Sequence, residues 1–145
     1  MNIGYAERIT WSQLIASPIA ITVYLVLVLP QLSRGIERVD WVAPMLWAIG
    51  VGIVVSIALS IAWGIVAGMR DAGEQHVMDQ RDREIERFGD RVGQAFLVLG
   101  GLAGLALAML DAASFWIGNA LFAGFFVSAF VGTIARLVAY RRGFQ

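Results

Sequence analysis

The chain has no cysteine, which excludes disulfide stapling and thiolate-held zinc or iron–sulfur centres. It has no lysine either, so Schiff-base and Ser–Lys chemistry are excluded. His76 is the single histidine, too few for a zinc site, which takes roughly three or four protein ligands. Charge is scarce: charged residues make up 15%, and the 11 acids balance the 11 bases. A nucleic-acid binder needs a basic excess against phosphate, so direct nucleic-acid binding is not expected. A disordered chain would be poor in apolar residues, and this one is not.

What the chain does have is hydrophobic residue, 59% of its 145 positions. These fall in four blocks, roughly 15–32, 41–69, 92–110 and 115–138. A helix needs about 20 apolar residues to cross about 30 Å of hydrocarbon. None of the blocks carries a charge near its centre, and Leu46 to Met69 has only Ser56 and Ser60 as polar residues. A soluble helix would show a polar face, and a transmembrane barrel would show short alternating strands. The predicted fold is therefore an all-α integral membrane bundle of four transmembrane helices. One membrane domain over 1–145 is expected, with helices near 15–32, 41–69, 79–110 and 114–140.

The first block lacks the basic start and small-residue cleavage site of a signal peptide, so it is expected to be retained. Pro18 fits the first turn of that helix, and Pro30 should end it. Tyr5 and Trp11 suit a headgroup region, and a short interfacial helix is expected over Met1–Trp11. Asp111 or Ser114, in the tight connection between helices three and four, is placed to cap helix four.

All bases are arginine. Nine lie on one side of the predicted spans: Arg8, Arg70, Arg81, Arg83, Arg87, Arg91, Arg136, Arg141 and Arg142. Only Arg34 and Arg38 lie on the other. The positive-inside rule then places both termini and the long polar connection in the cytoplasm, with the chain in the cell membrane. Arg136, close to the end of the fourth block, is expected to snorkel to the headgroups.

Small residues recur every fourth position in three of the blocks. Helix two carries Ala48, Gly52, Ser56, Ser60, Gly64 and Gly68; helix four carries Ala120, Gly124, Ser128 and Gly132; helix three carries Gly100, Gly104 and Ala108, plus Gly93. Positions four apart share one helix face. Small side chains there let backbones touch, which drives helix association in lipid. The stripes serve packing either inside the bundle or between subunits of a homo-oligomer, and both remain open.

The polar stretch from Asp79 to Arg91 alternates in charge and carries an apolar stripe of Ile85, Phe88 and Val92. It should be helical and run on into helix three as a charged cytoplasmic extension, with Gly89 as a possible bend. Asp79, Asp82 and Glu86 share a face, but the interleaved Arg81, Arg83 and Arg87 neutralise them better than a cation would. His76 and the turn around Gly73 read as solvated linker. The sequence Asp79-x-Arg81-Asp82-x-x-Ile85, then Arg91 and an apolar helix, resembles a family of small bacterial and archaeal membrane proteins. That family is known only as a domain of unknown function. Phe115-Trp116-Ile117-Gly118-Asn119-Ala120 and Tyr140-Arg141-Arg142-Gly143-Phe144 are similar too, so the likeness spans about residues 75–144. Many members read Asp-Glu-Arg-Asp, where this chain has Gln80. The resemblance implies a four-helix membrane fold and, from relatives encoded beside small helix-turn-helix regulators, a regulatory pairing.

No residue set suits a metal or a cofactor, and the one catalytic exception is chemistry at the cytoplasmic face through Asp79, Asp82 and Arg83. The expectation is a non-enzymatic accessory or regulatory membrane protein. Its contact surface for a soluble cytoplasmic regulator or a second copy would be Asp79, Arg81, Asp82, Arg83, Glu86 and Arg87. The alternative is a small oligomeric transporter or channel, with Asn119 on a polar path.

Overall fold

The computed structural model describes residues 5–70 and 79–142, the side chains of Ala67, Gly68 and Arg70 excepted. His76, the turn at Gly73, Met1–Gly4 and the closing Gly143-Phe144 lie outside them. Regular structure among the described residues is all helical. Helix α1 spans Tyr5–Val28, two short 3-10 turns follow at Leu29–Arg34 and Ile36–Arg38, and then come α2 (Val42–Arg70), α3 (Gln80–Met109) and α4 (Ser114–Arg142). All four are long and apolar enough to cross a bilayer.

Helix α1 starts about ten residues earlier than the apolar block, so the described part of the expected interfacial segment, Tyr5 to Trp11, is continuous with α1. Its first turns are polar in sequence but not in structure. The Thr10 hydroxyl donates to Ala6 O at 2.9 Å and the Ser12 hydroxyl to Arg8 O at 3.1 Å, which spends each donor on its own helix and permits burial. Pro18 thus sits mid-helix rather than in the first turn. The two hydroxyls flanking it donate to their own helix, Ser17 to Gln13 O at 2.8 Å and Thr22 to Pro18 O at 2.7 Å. The helix gives way to 3-10 geometry just before Pro30. Gln31 then ties the connection, donating to Leu27 O at 2.9 Å and accepting from Asp40 N at 3.0 Å.

The other turn, between α3 and α4, is tight. Ala112 N donates to Leu107 O at 3.0 Å and Asp111 N to Ala108 O at 3.2 Å, the bond pair of a Schellman motif. Asp111 occupies its left-handed position with φ 51°. It therefore closes α3 instead of capping α4.

The helices stand in the spatial order α2–α1–α4–α3: α1 packs on α2 and α4, α4 packs on α3, and α2 makes no extended contact with α3 or α4. The bundle thus has one open side. The most apolar stretch of α2 holds no buried residue, against 17–22% buried in the other three.

Backbone meets backbone along the α3–α4 seam. A Cβ added at Gly100 would lie 2.4 Å from Gly124 Cα, and one at Gly93 would lie 2.7 Å from Ser128 O. Gly89 is part of this seam, since a Cβ there would lie 2.8 Å from Gly132 O. Its role is close approach, and α3 continues through it as α-helix. Phe88, expected on the buried stripe, is exposed, while Ile85 is fully buried.

At the end bearing the two tight connections (the turn end), Tyr24, Val28, Val39, Ala48 and Phe115 form a buried apolar cluster. Trp41 lies across Gly118, where a Cβ would come within 2.5 Å of the indole. The Tyr24 and Phe122 rings meet at 5.0 Å. At the opposite end, which bears the described chain ends, polar side chains join α1, α3 and α4.

Candidate functional site

The polar end is built from the start of α3. Asp79 is the N-cap: its carboxylate accepts from Asp82 N at 2.7 Å, and the Asp82 carboxylate accepts in return from Asp79 N at 3.3 Å. This is a capping box with aspartate in place of the usual glutamate or glutamine. The spacing of the two aspartates in the sequence motif thus has a structural use. Tyr140 of α4 lies close to Asp82, with Glu7 and Glu86 also near it. Among the six residues predicted as a contact surface, Arg81, Arg83 and Arg87 are exposed, Asp82 and Glu86 are half-buried, and Asp79 is exposed but engaged in the cap.

Arg136 does not snorkel straight out along α4. Its side chain crosses α3 over the bare backbone of Gly89. One terminal nitrogen pairs with the Asp90 carboxylate of α3, and the other donates to the Gln13 side-chain oxygen of α1 at 3.3 Å. One guanidinium therefore ties three helices together. Its Nε is buried and makes no hydrogen bond. Beside it the Arg141 guanidinium sits 5.3 Å from the centre of the Trp11 ring, a cation–π contact between α4 and α1.

Asn119 and Tyr24 join α4 to α1 at the turn end. The Tyr24 hydroxyl donates to the Asn119 side-chain oxygen, and the Asn119 amide donates to Phe115 O at 2.8 Å. Asn119 is thereby tied into the helix contact on both sides of its amide.

A cleft of about 510 Å³ lies between α2 and α4 with α1 as its floor. Gly52, Ser56, Ile53 and the rings of Phe122, Phe125 and Phe126 line most of it. Gln13, Ser17, Thr133 and Arg136 line the end nearer the chain ends. The hydroxyl of Thr133 is spent on Ala129 O at 2.7 Å and that of Ser60, below the cleft, on Ser56 O at 2.8 Å.

The small stripes divide between these features. Gly100, Gly104, Gly124, Ser128 and Gly132 belong to the α3–α4 seam, Gly104 facing Leu121. Gly52 meets Ala20 of α1 at 3.0 Å from an added Cβ, Ser56 lines the cleft, Ser60 is half-buried, and Gly64 has nothing within 4 Å. Gln13, Asp90 and the bridging role of Arg136 were not foreseen. The available signal was that Arg136 is the one ionisable residue inside an apolar block, and such residues earn attention by default. Among the described residues no group of His, Cys, Asp or Glu is placed to hold a metal ion.

The chain thus defines an all-helical class with four helices fit to cross a bilayer. Comparison with protein-family models, with curated proteins and with solved structures gives no match to it.

Proposed function

We propose that the chain is a multi-pass protein of the cytoplasmic membrane that serves as a non-enzymatic accessory or regulatory subunit. Both chain ends and the α2–α3 connection face the cytoplasm in this reading, as the arginine distribution favours. The working surface is the exposed charged side of the first turns of α3, and its partner is a soluble cytoplasmic regulator. The resemblance around Asp79-x-Arg81-Asp82 points the same way, toward small regulators encoded nearby.

One observation carries the reading. The first turns of α3 bury Ile85 and Gly89 while leaving Arg81, Arg83, Glu84, Arg87 and Arg91 exposed. A capped helix held along one side presents its charges in a fixed array, which is what electrostatic steering of a partner requires. A transport reading finds less support, because Asn119, Tyr24 and Thr133 spend polar atoms on protein partners.

The test is gentle-detergent purification of the full chain from its own cells, followed by native mass spectrometry. A stoichiometric soluble partner that is lost on Arg83→Glu or Arg87→Glu supports the proposal. A homo-oligomer alone, or a partner retained through both charge reversals, overturns it.

A further inference from the structure

The cleft between α2 and α4 has a polarity gradient along its length. Its turn end is aromatic and aliphatic, and its other end holds Gln13, Ser17 and Arg136. No carboxylate lines it, so Arg136 is the only formal charge on its wall. From Phe122 to Arg136 the α4 wall runs 14 residues, about 21 Å at helical rise. One leaflet with its headgroup layer measures about 20–22 Å. A cleft of that length, apolar at one end and cationic at the other, matches the length and polarity of one lipid leaflet.

We propose that this cleft is a lipid site that seats one acyl chain and, through Arg136, selects a lipid whose headgroup carries net negative charge. The guanidinium has donors to spare. Of its five N–H groups, Asp90 and Gln13 engage one on each terminal nitrogen, which leaves a second on each; the Nε hydrogen is buried beside Gly89. Asp90 approaches from α3 and does not line the cleft; its side chain is 63% exposed, so water can take over that carboxylate when a phosphate arrives. The small residues Ala16 and Ala20 on the floor and Gly52 on the α2 wall leave room for a chain to lie along the cleft. A lipid there also supplies the packing that α2 lacks against α4. The inference rests on the chain crossing a bilayer and is independent of the regulatory reading.

The experiment uses the full chain, stripped of lipid in a neutral detergent and offered equal phosphatidylglycerol and phosphatidylcholine, with retained lipid read by native mass spectrometry. The expected result is one retained lipid per chain with an approximately ten-fold preference for phosphatidylglycerol, because both lipids carry a phosphate but the choline cation of phosphatidylcholine opposes the Arg136 charge. Asp90→Asn removes the competing acid and should raise that preference. Arg136→Gln should bring it to parity. Because Arg136→Gln also breaks an interhelical tie, Ala129→Trp serves as the second variant: it fills the cleft from α4, leaves Arg136 in place, and should abolish retention of both lipids with an unchanged melting profile. Equal retention of the two lipids by the parent chain overturns the proposal. So does lipid retention unaffected by Ala129→Trp, which places the lipid elsewhere. A lipid-free dimer that Ala129→Trp dissociates overturns it too, since the occupant is then a second copy.

Discussion

Two helix pairs in this molecule carry small residues at the same four-residue spacing, and only one of them closes. Along α3 and α4 the stripes face each other, and Gly100 and Gly124 bring the two backbones into contact. Between α1 and α2 the contact is tight at Gly52 against Ala20, and Gly64 further along meets nothing. The difference lies in the partner. The α3 stripe finds glycine and serine across the seam, whereas the α2 stripe meets Ala20 of α1 at Gly52 and nothing within 4 Å at Gly64. Small-xxx-small spacing permits close approach, but both faces must be small at the same height for a seam to form.

Substitutions in the two stripes sharpen this contrast most. Gly100→Leu or Gly124→Leu drives a side chain into backbone with no room to yield, and should cost about 3 kcal/mol or more. Gly64→Leu, in open space, should change stability by less than about 0.5 kcal/mol. Unfolding titration of the three variants in one detergent checks both. Equal losses at Gly100 and Gly64 would show that the α2 stripe is buried in an assembly, which breaks the comparison.

A smaller effect separates two roles of the charged segment. Asp79→Ala removes the N-cap of α3 and should cost about 1 kcal/mol. Arg83→Glu, exposed and outside the cap, should leave stability within about 0.5 kcal/mol. The same titration reads both variants, and a large loss at Arg83 would assign it to the fold instead of to a partner. Smaller again is the hydrogen bond joining α1 to α4. Interhelical bonds in membranes average about 0.6 kcal/mol, so Tyr24→Phe should cost about that much. A cost near zero would mean that ring packing on Phe122 holds the contact by itself.

How legible this was differs by region. The four apolar blocks set the number and type of helices, because crossing length and internal hydrogen bonding leave few alternatives. The start of α1 was not legible: Thr10 and Ser12 are polar, yet each turns its hydroxyl onto a carbonyl four residues back and is buried. The helix order was hidden as well. A helix that is apolar all round, like α2, does not announce which side it buries. The path of Arg136 depended on a missing side chain at Gly89, two helices' worth of sequence away, which spacing along one helix cannot reveal.

The smallest effect concerns what each pair of helices asks of its connection. The α1–α2 link runs through two 3-10 turns with Gly35 at φ 90°, and it is stapled by Gln31. The α3–α4 link has only Leu110 to Ala113 in which to reverse the chain. Asp111 pays for that with a left-handed backbone that glycine adopts without strain. Relief of that strain is worth about 1 kcal/mol. Glycine's greater freedom in the unfolded chain offsets roughly half of it or more. Asp111→Gly should therefore stabilise by about 0.5 kcal/mol or less, read as a small rise in the unfolding midpoint. A clear loss would mean that the Asp111 carboxylate contributes to the turn itself, and that the tight link is held by side-chain chemistry as the longer one is by Gln31.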